Sequence, residues 1–194
     1  PTLLLGMLFF TSPAIVGVDV LTPVIRLTLL GFICMTTFVV PALGIYYLYR
    51  AGYVKSLHLD DLADRRLPYF LTAFFYAFAT YFFSYQLAPL SEIAPEIGIV
   101  LGSITVSIAI VGVISMSWKI SAHGTGIGGL LGAVLGIAVK FGENRLLYPF
   151  LVFVILGGML MSARLQLNAH TPAQVSAGFS LGILVSVITV WWFV

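Results

Sequence analysis

Arg164 and His170 stand six positions apart in "SARLQLNAHTPAQV" (162–175), between two strongly apolar runs. A guanidinium offers a rigid fork of donors that matches phosphate or carboxylate oxygens, and it never loses its charge. An imidazole can carry or release a proton near neutral pH. Similar groups recur twice more, in "DRRLP" (64–68) with Arg65 and Arg66, and in "KISAHG" (119–124) with Lys119, Ser121 and His123. Only 8% of the chain is charged, so three such clusters are a concentrated use of scarce residues. Their chemistry is that of an oxyanion site, provided the fold brings them to one place.

The elements that must do this are membrane helices. Sixty per cent of the 194 residues are apolar and mean hydropathy is +1.10, while charged residues fall to about a third of the usual share. Windows long enough to span a bilayer, roughly 17–25 residues, are found at 2–18, 24–49, 69–88, 97–117, 123–141, 147–163 and 171–194. The first is short and carries Pro13. The expectation is an all-α polytopic transmembrane bundle of six to seven helices, forming a single domain over 1–194.

Alternating crossings place 50–68, 119–124 and 162–170 on one side of the membrane. The third, fifth and seventh segments then all begin there. Helix starts carry unpaired N–H groups and partial positive charge, which favours anions. Pro68 fits the first turn of the third segment, His123 opens the fifth, and Thr171 with Pro172 opens the seventh. The single cysteine, Cys34, lies in an apolar run as a buried thiol. The net charge of +2 suggests no nucleic-acid partner. No basic stretch precedes Leu3, so no signal peptide is expected.

Each cluster also has a plainer use. Arg164 could snorkel to headgroups. Thr171-x-x-Gln174 matches a capping box. His58 reads as a solvated loop residue, and Asp60, Asp61 and Asp64 as local partners of Lys55, Arg65 or Arg66 rather than a metal site. "GTGIGG" (124–129) has the form G-x-G-x-x-G but lacks the surrounding β-α-β unit. Gly124, Gly128, Gly132 and Gly136 instead make a one-faced stripe for close helix packing.

The three clusters together resemble the type 2 phosphatidic acid phosphatase family, the lipid phosphatases related to vanadium haloperoxidases. That family's motifs are Lys-x6-Arg-Pro, Pro-Ser-Gly-His and Ser-Arg-x5-His-x3-Asp. Arg164 and His170 have the spacing of the third, with Ala163 for its Ser and Gln174 for its Asp. Ser121 and His123 match the second, with Ile120 for Pro and Ala122 for Gly. The first is reduced to an arginine near Pro68, with Lys55 the nearest upstream lysine. The resemblance covers roughly 50–182.

It implies a membrane lipid phosphate or pyrophosphate phosphatase that uses neither metal nor cofactor. His170 would be the nucleophile and His123 the general acid. Arg164, Arg66 or Arg65, Ser121 and Lys119 would bind the phosphate. Gln174 would orient His170, as a neutral group where the family has a countercharge. A second function remains open: a non-catalytic membrane subunit, associated with other subunits, that keeps the fold for packing or lipid binding. An anion transporter is a third, set back by the absence of an internal repeat. Family members commonly face the exterior or periplasm, which implies a bacterial inner-membrane protein with its site outside.

Overall fold

The computed structural model describes residues 1–57 and 61–194. Among these residues a short helix, α1 (Thr2–Thr11), precedes six that are long and apolar enough to cross a membrane. These are α2 (Pro23–Arg50), α3 (Leu62–Gln86), α4 (Pro95–Ile114), α5 (Ala122–Phe141), α6 (Asn144–Gln166) and α7 (Pro172–Phe193). No strand occurs among the described residues. The protein is an all-α polytopic bundle of the integral-membrane class. Its outer faces suit lipid: Phe70, Phe74 and Phe78 recur along α3 and Leu151, Ile155 and Met159 along α6, all exposed. In water such faces would be a large unpaid hydrophobic exposure; in a bilayer they meet acyl chains.

Two expected boundaries move. The window 2–18 is not a span. Its helix breaks at Ser12 and Pro13, and ten residues rise only about 15 Å against a hydrocarbon core of about 30 Å. Arg26 fixes the corner that follows, donating to the carbonyls of Leu21, Phe9 and Asp19 at 3.0 Å each. The third segment, expected at 69, begins at Leu62. Pro68 therefore lies inside the helix, not in its first turn. Hydropathy missed the start because the first two turns, with Asp64, Arg65 and Arg66, are polar. His58 and Asp60 lie outside the described residues.

The structural centre of the bundle is the α5–α7 pair. A Cβ added at Gly128 would run into the Phe179 carbonyl, and one at Gly132 would meet Ile183 Cα at 3.0 Å. The stripe is answered from α7. A Cβ at Gly178 would strike the Ser121 carbonyl, and one at Gly182 the Thr125 carbonyl. The glycine run is thus a close-packing seam between two helices. Both ends of the pair are tied. At the site end Ser121 N–H donates to Gln174 O at 3.2 Å. At the far end Lys140 Nζ donates to the final carbonyls of α7, Val190 O at 2.9 Å and Trp191 O at 3.2 Å. Since α5 and α7 are parallel, the seam sets their first turns side by side.

Candidate functional site

Three helix starts converge, and local sequence explains each. Ser121 is the N-cap of α5, its Oγ accepting from Gly124 N–H at 3.1 Å. Thr171 caps α7 through a complete capping box. Gln174 N–H donates to Thr171 Oγ1 at 3.4 Å, and Thr171 N–H donates back to Gln174 Oε1 at 3.1 Å. Asp61 precedes α3, and Asp64 Oδ2 accepts from Lys55 N–H at 3.2 Å, tying the loop to that helix.

The six-residue interval between Arg164 and His170 has a structural cause. α6 ends in a Schellman turn: Asn168 N–H donates to Leu165 O at 3.0 Å and Ala169 N–H to Arg164 O at 3.1 Å. Asn168 takes the left-handed conformation this turn requires, φ 51°. The chain reverses there and reaches His170 one residue before the Thr171 cap. Arg164 therefore sits in the last turn of one helix, with His170 immediately before the next.

His170 is buried, with 7% of its surface exposed. Its Nδ1 lies 3.1 Å from Lys119 O and 3.2 Å from Gln174 Oε1. A main-chain carbonyl can only accept. The Gln174 atom must also be the amide oxygen, because Thr171 N–H donates to it. Nδ1 therefore carries the proton, and Nε2 keeps a free lone pair. One oxygen of Gln174 thus both caps α7 and orients the ring; the two uses are not alternatives. Burial holds the His170 pKa below its ordinary 6.5. The carbonyls of Gln174 and Lys119 oppose that shift, and the charges of Arg65 and Arg164 add to it. The imidazole is kept neutral.

Arg65 reaches Ile120 O and His170 reaches Lys119 O, which ties α3 and the start of α7 to the start of α5, and Arg65 and Arg164 act electrostatically on both histidines. Arg65 is 4% exposed and its Nη1 donates to Ile120 O at 3.4 Å, locking α3 to the residue before the α5 cap. Arg164 Nε is buried without a hydrogen-bond partner. His123 is exposed on the first turn of α5. Next to His170 an open cavity of about 480 Å³ is bordered by Lys119, Leu165, Asn168 and Gln174.

Other expected residues are placed differently. Arg66 is exposed, while its neighbour Arg65 turns inward, as successive residues on a helix must diverge by about 100°. Ser121 is completely buried under its capping bond, so it serves helix α5 rather than a solvent-accessible ligand. Lys119 borders the cavity, and its carbonyl is an acceptor for the histidine. Two participants escaped sequence reading, the carbonyls of Lys119 and Ile120. A main-chain role leaves no side-chain signature. Asn168 did leave one, an Asn between a helix end and a cap. No protein-family model matches the chain, and neither a curated protein nor a solved structure matches it.

Proposed function

We propose that the protein is a membrane phosphatase that hydrolyses a lipid phosphate or pyrophosphate through a phosphohistidine. The observation that carries this reading is the fixed tautomer of His170, held at Nδ1 by Lys119 O and Gln174 Oε1 beside two guanidiniums. A neutral imidazole with an available Nε2 is the form that can attack phosphorus. Arg65 and Arg164 hold the phosphoryl oxygens and take up charge in the transition state. As the Nε2–P bond forms, the P–O bond to the lipid breaks, and His123 gives its proton to the departing oxygen. Water then attacks phosphorus, His123 takes up its proton, and the Nε2–P bond breaks to release phosphate. The position of the site at helix starts by the membrane surface suits a substrate with its headgroup in water and its tail in lipid.

The test is phosphate release by purified protein in detergent from a panel of lipid phosphates, with and without EDTA. Release that persists in EDTA and disappears in His170→Ala is expected. Wild-type release from His170→Ala would exclude the phosphohistidine. Gln174 favours a second reading, since a neutral amide supplies no countercharge: a non-catalytic subunit that binds lipid phosphate and releases none. We assign the protein to a bacterial inner membrane with the site on the periplasmic face, as the resemblance implies. Six Lys and Arg residues stand on the site's side (Arg50, Lys55, Arg65, Arg66, Lys119, Arg164) against three on the other (Arg26, Lys140, Arg145), a balance that taken whole favours the opposite orientation. Labelling a cysteine placed at exposed Ser162 with a membrane-impermeant reagent separates the two.

A further inference from the structure

We infer that the apolar cavity beside α5 receives one aliphatic chain of the phosphate-bearing substrate, and that its depth sets the chain length accepted. This rests on the phosphatase reading for the identity of the headgroup, but the cavity can be tested apart from it. The cavity measures about 510 Å³ and is bounded by α3, α4, α5 and α7, with Pro1 to Leu4 of the α1 region and Cys34 and Phe38 of α2 closing its side. Its upper end is formed by Ala122 and Tyr69. Ala122 adjoins His123, and Tyr69 follows Arg65 by four residues, one turn along α3. The end of the cavity nearest the arginines is therefore one helical turn from Arg65 along α3. Ile137 marks its lower limit on α5, and Val190 and Val194 line it at the end of α7.

Lining chemistry selects a hydrocarbon over water or ions. Among the described residues no Asp, Glu, Lys, Arg or His side chain borders the cavity, and the ionisable nitrogen on its wall is that of Pro1. Four of the eight hydroxyls on its wall are turned back onto their own helices. Ser103 donates to Val100 O at 2.8 Å, Ser107 to Ser103 O at 3.0 Å, Thr125 to Ser121 O at 3.1 Å and Thr189 to Val185 O at 2.8 Å. What remains facing inward is mainly methyl and methylene surface. A hydrated path needs polar partners for its water, and these four hydroxyls already have theirs.

Depth follows from helix geometry. The fifteen steps from Ala122 to Ile137 rise about 22 Å at about 1.5 Å per residue. An extended alkyl chain, with C–C bonds of about 1.5 Å, advances about 1.3 Å per carbon, so the cavity holds about 17 carbons. Ala133 lies eleven steps down, at a depth of about 16 Å, which corresponds to about 12 carbons. A bulky side chain there shortens the ruler. Gly126 offers a gentler obstruction near the mouth, since a Cβ added there meets no atom within 4 Å.

The experiment uses n-alkyl phosphates of increasing length with the whole protein in detergent. Saturation binding is measured on His170→Ala, and hydrolysis on the otherwise native chain. Affinity is expected to rise with length and break near 17 carbons. Ala133→Phe should move the break to about 12. Gly126→Leu, which covers the case in which Ala133→Phe does not fold, should weaken hexadecyl phosphate about tenfold and leave butyl phosphate within about twofold, the scale of shape discrimination in an apolar pocket. A rise with no break, unchanged by a folded variant at either position, would overturn the inference while leaving hydrolysis intact. Absence of hydrolysis with the length break preserved would instead remove the phosphatase reading and support the cavity as a chain site.

Discussion

Replacing Gln174 is the sharpest test of the site, because one atom there does two jobs. Its Oε1 accepts from Thr171 N–H at 3.1 Å and from His170 Nδ1 at 3.2 Å. Gln174→Ala removes both bonds. The lost cap contributes about 1 kcal/mol, and the ring loses one neutral hydrogen bond of about 1 kcal/mol. Melting temperature should fall accordingly. Lys119 O still holds Nδ1 at 3.1 Å, so the tautomer survives, and turnover per folded molecule should drop only about tenfold.

Gln174→Glu separates geometry from charge. The two side chains have the same length, so the cap and the ring contact persist, but the new carboxylate stabilises the imidazolium. On the proposed mechanism the nucleophile must be neutral, so activity should be lost as pH falls through the His170 pKa. In the native chain that pKa is held below 6.5, chiefly by burial. The acid limb of kcat/KM therefore lies below pH 6.5, and Gln174→Glu should move it upward. Folding has the same sign. The unfolded histidine takes a proton more readily than the buried one, so stability from this group is complete above about pH 6.5 and declines below it. An acid limb that stays in place in a stable Gln174→Glu protein would refute the account of His170 as a titrating nucleophile.

Arg65→Gln should lower kcat/KM by roughly 10²–10³-fold, the scale of losing one transition-state donor, whereas Arg66→Gln should stay within about twofold; equal losses in the two variants would show that burial does not identify the phosphate ligand. Gly128→Ala forces a methyl against the Phe179 carbonyl and should cost about 1–3 kcal/mol in thermal unfolding. Gly126→Ala, two residues away with open space at its Cβ, should be neutral or slightly stabilising.

Much of this arrangement was legible because membrane helices obey parity. Apolar windows and short connections require alternate ends to meet on one side, and this brought the residues near 65, 123 and 170 together before any coordinates. Helix packing was legible as well, since glycines every fourth residue leave a groove with few other uses. What parity cannot supply is rotation about a helix axis. Arg65 and Arg66 were interchangeable in the sequence, and only the placement of α3 against Ile120 turns one inward. Apolar counting failed at the polar start of α3 and at Pro13, where a greasy window is not a continuous helix.

The charge balance of the site gives the neutral Gln174 a physical meaning. Arg65 and Arg164 bring two fixed positive charges near His170, and each disfavours a third on the ring. Asp64, buried next to Arg65 in sequence, spends one carboxylate oxygen on Lys55 N–H. A carboxylate at 174 would pull the imidazole toward its protonated, non-nucleophilic form in the absence of substrate. An amide holds the ring in the same orientation without that pull, while the arginines keep the site attractive to an anion. On the proposed mechanism the cost comes after attack, when the ring nitrogen bonded to phosphorus carries a positive charge that the Lys119 and Gln174 carbonyl dipoles offset. On this argument the Gln exchanges stabilisation of the phosphohistidine for a larger fraction of reactive histidine at low pH. The first chemical step should then be reversible, and exchange of labelled alcohol back into the substrate should be measurable in the native chain and diminished in Gln174→Glu.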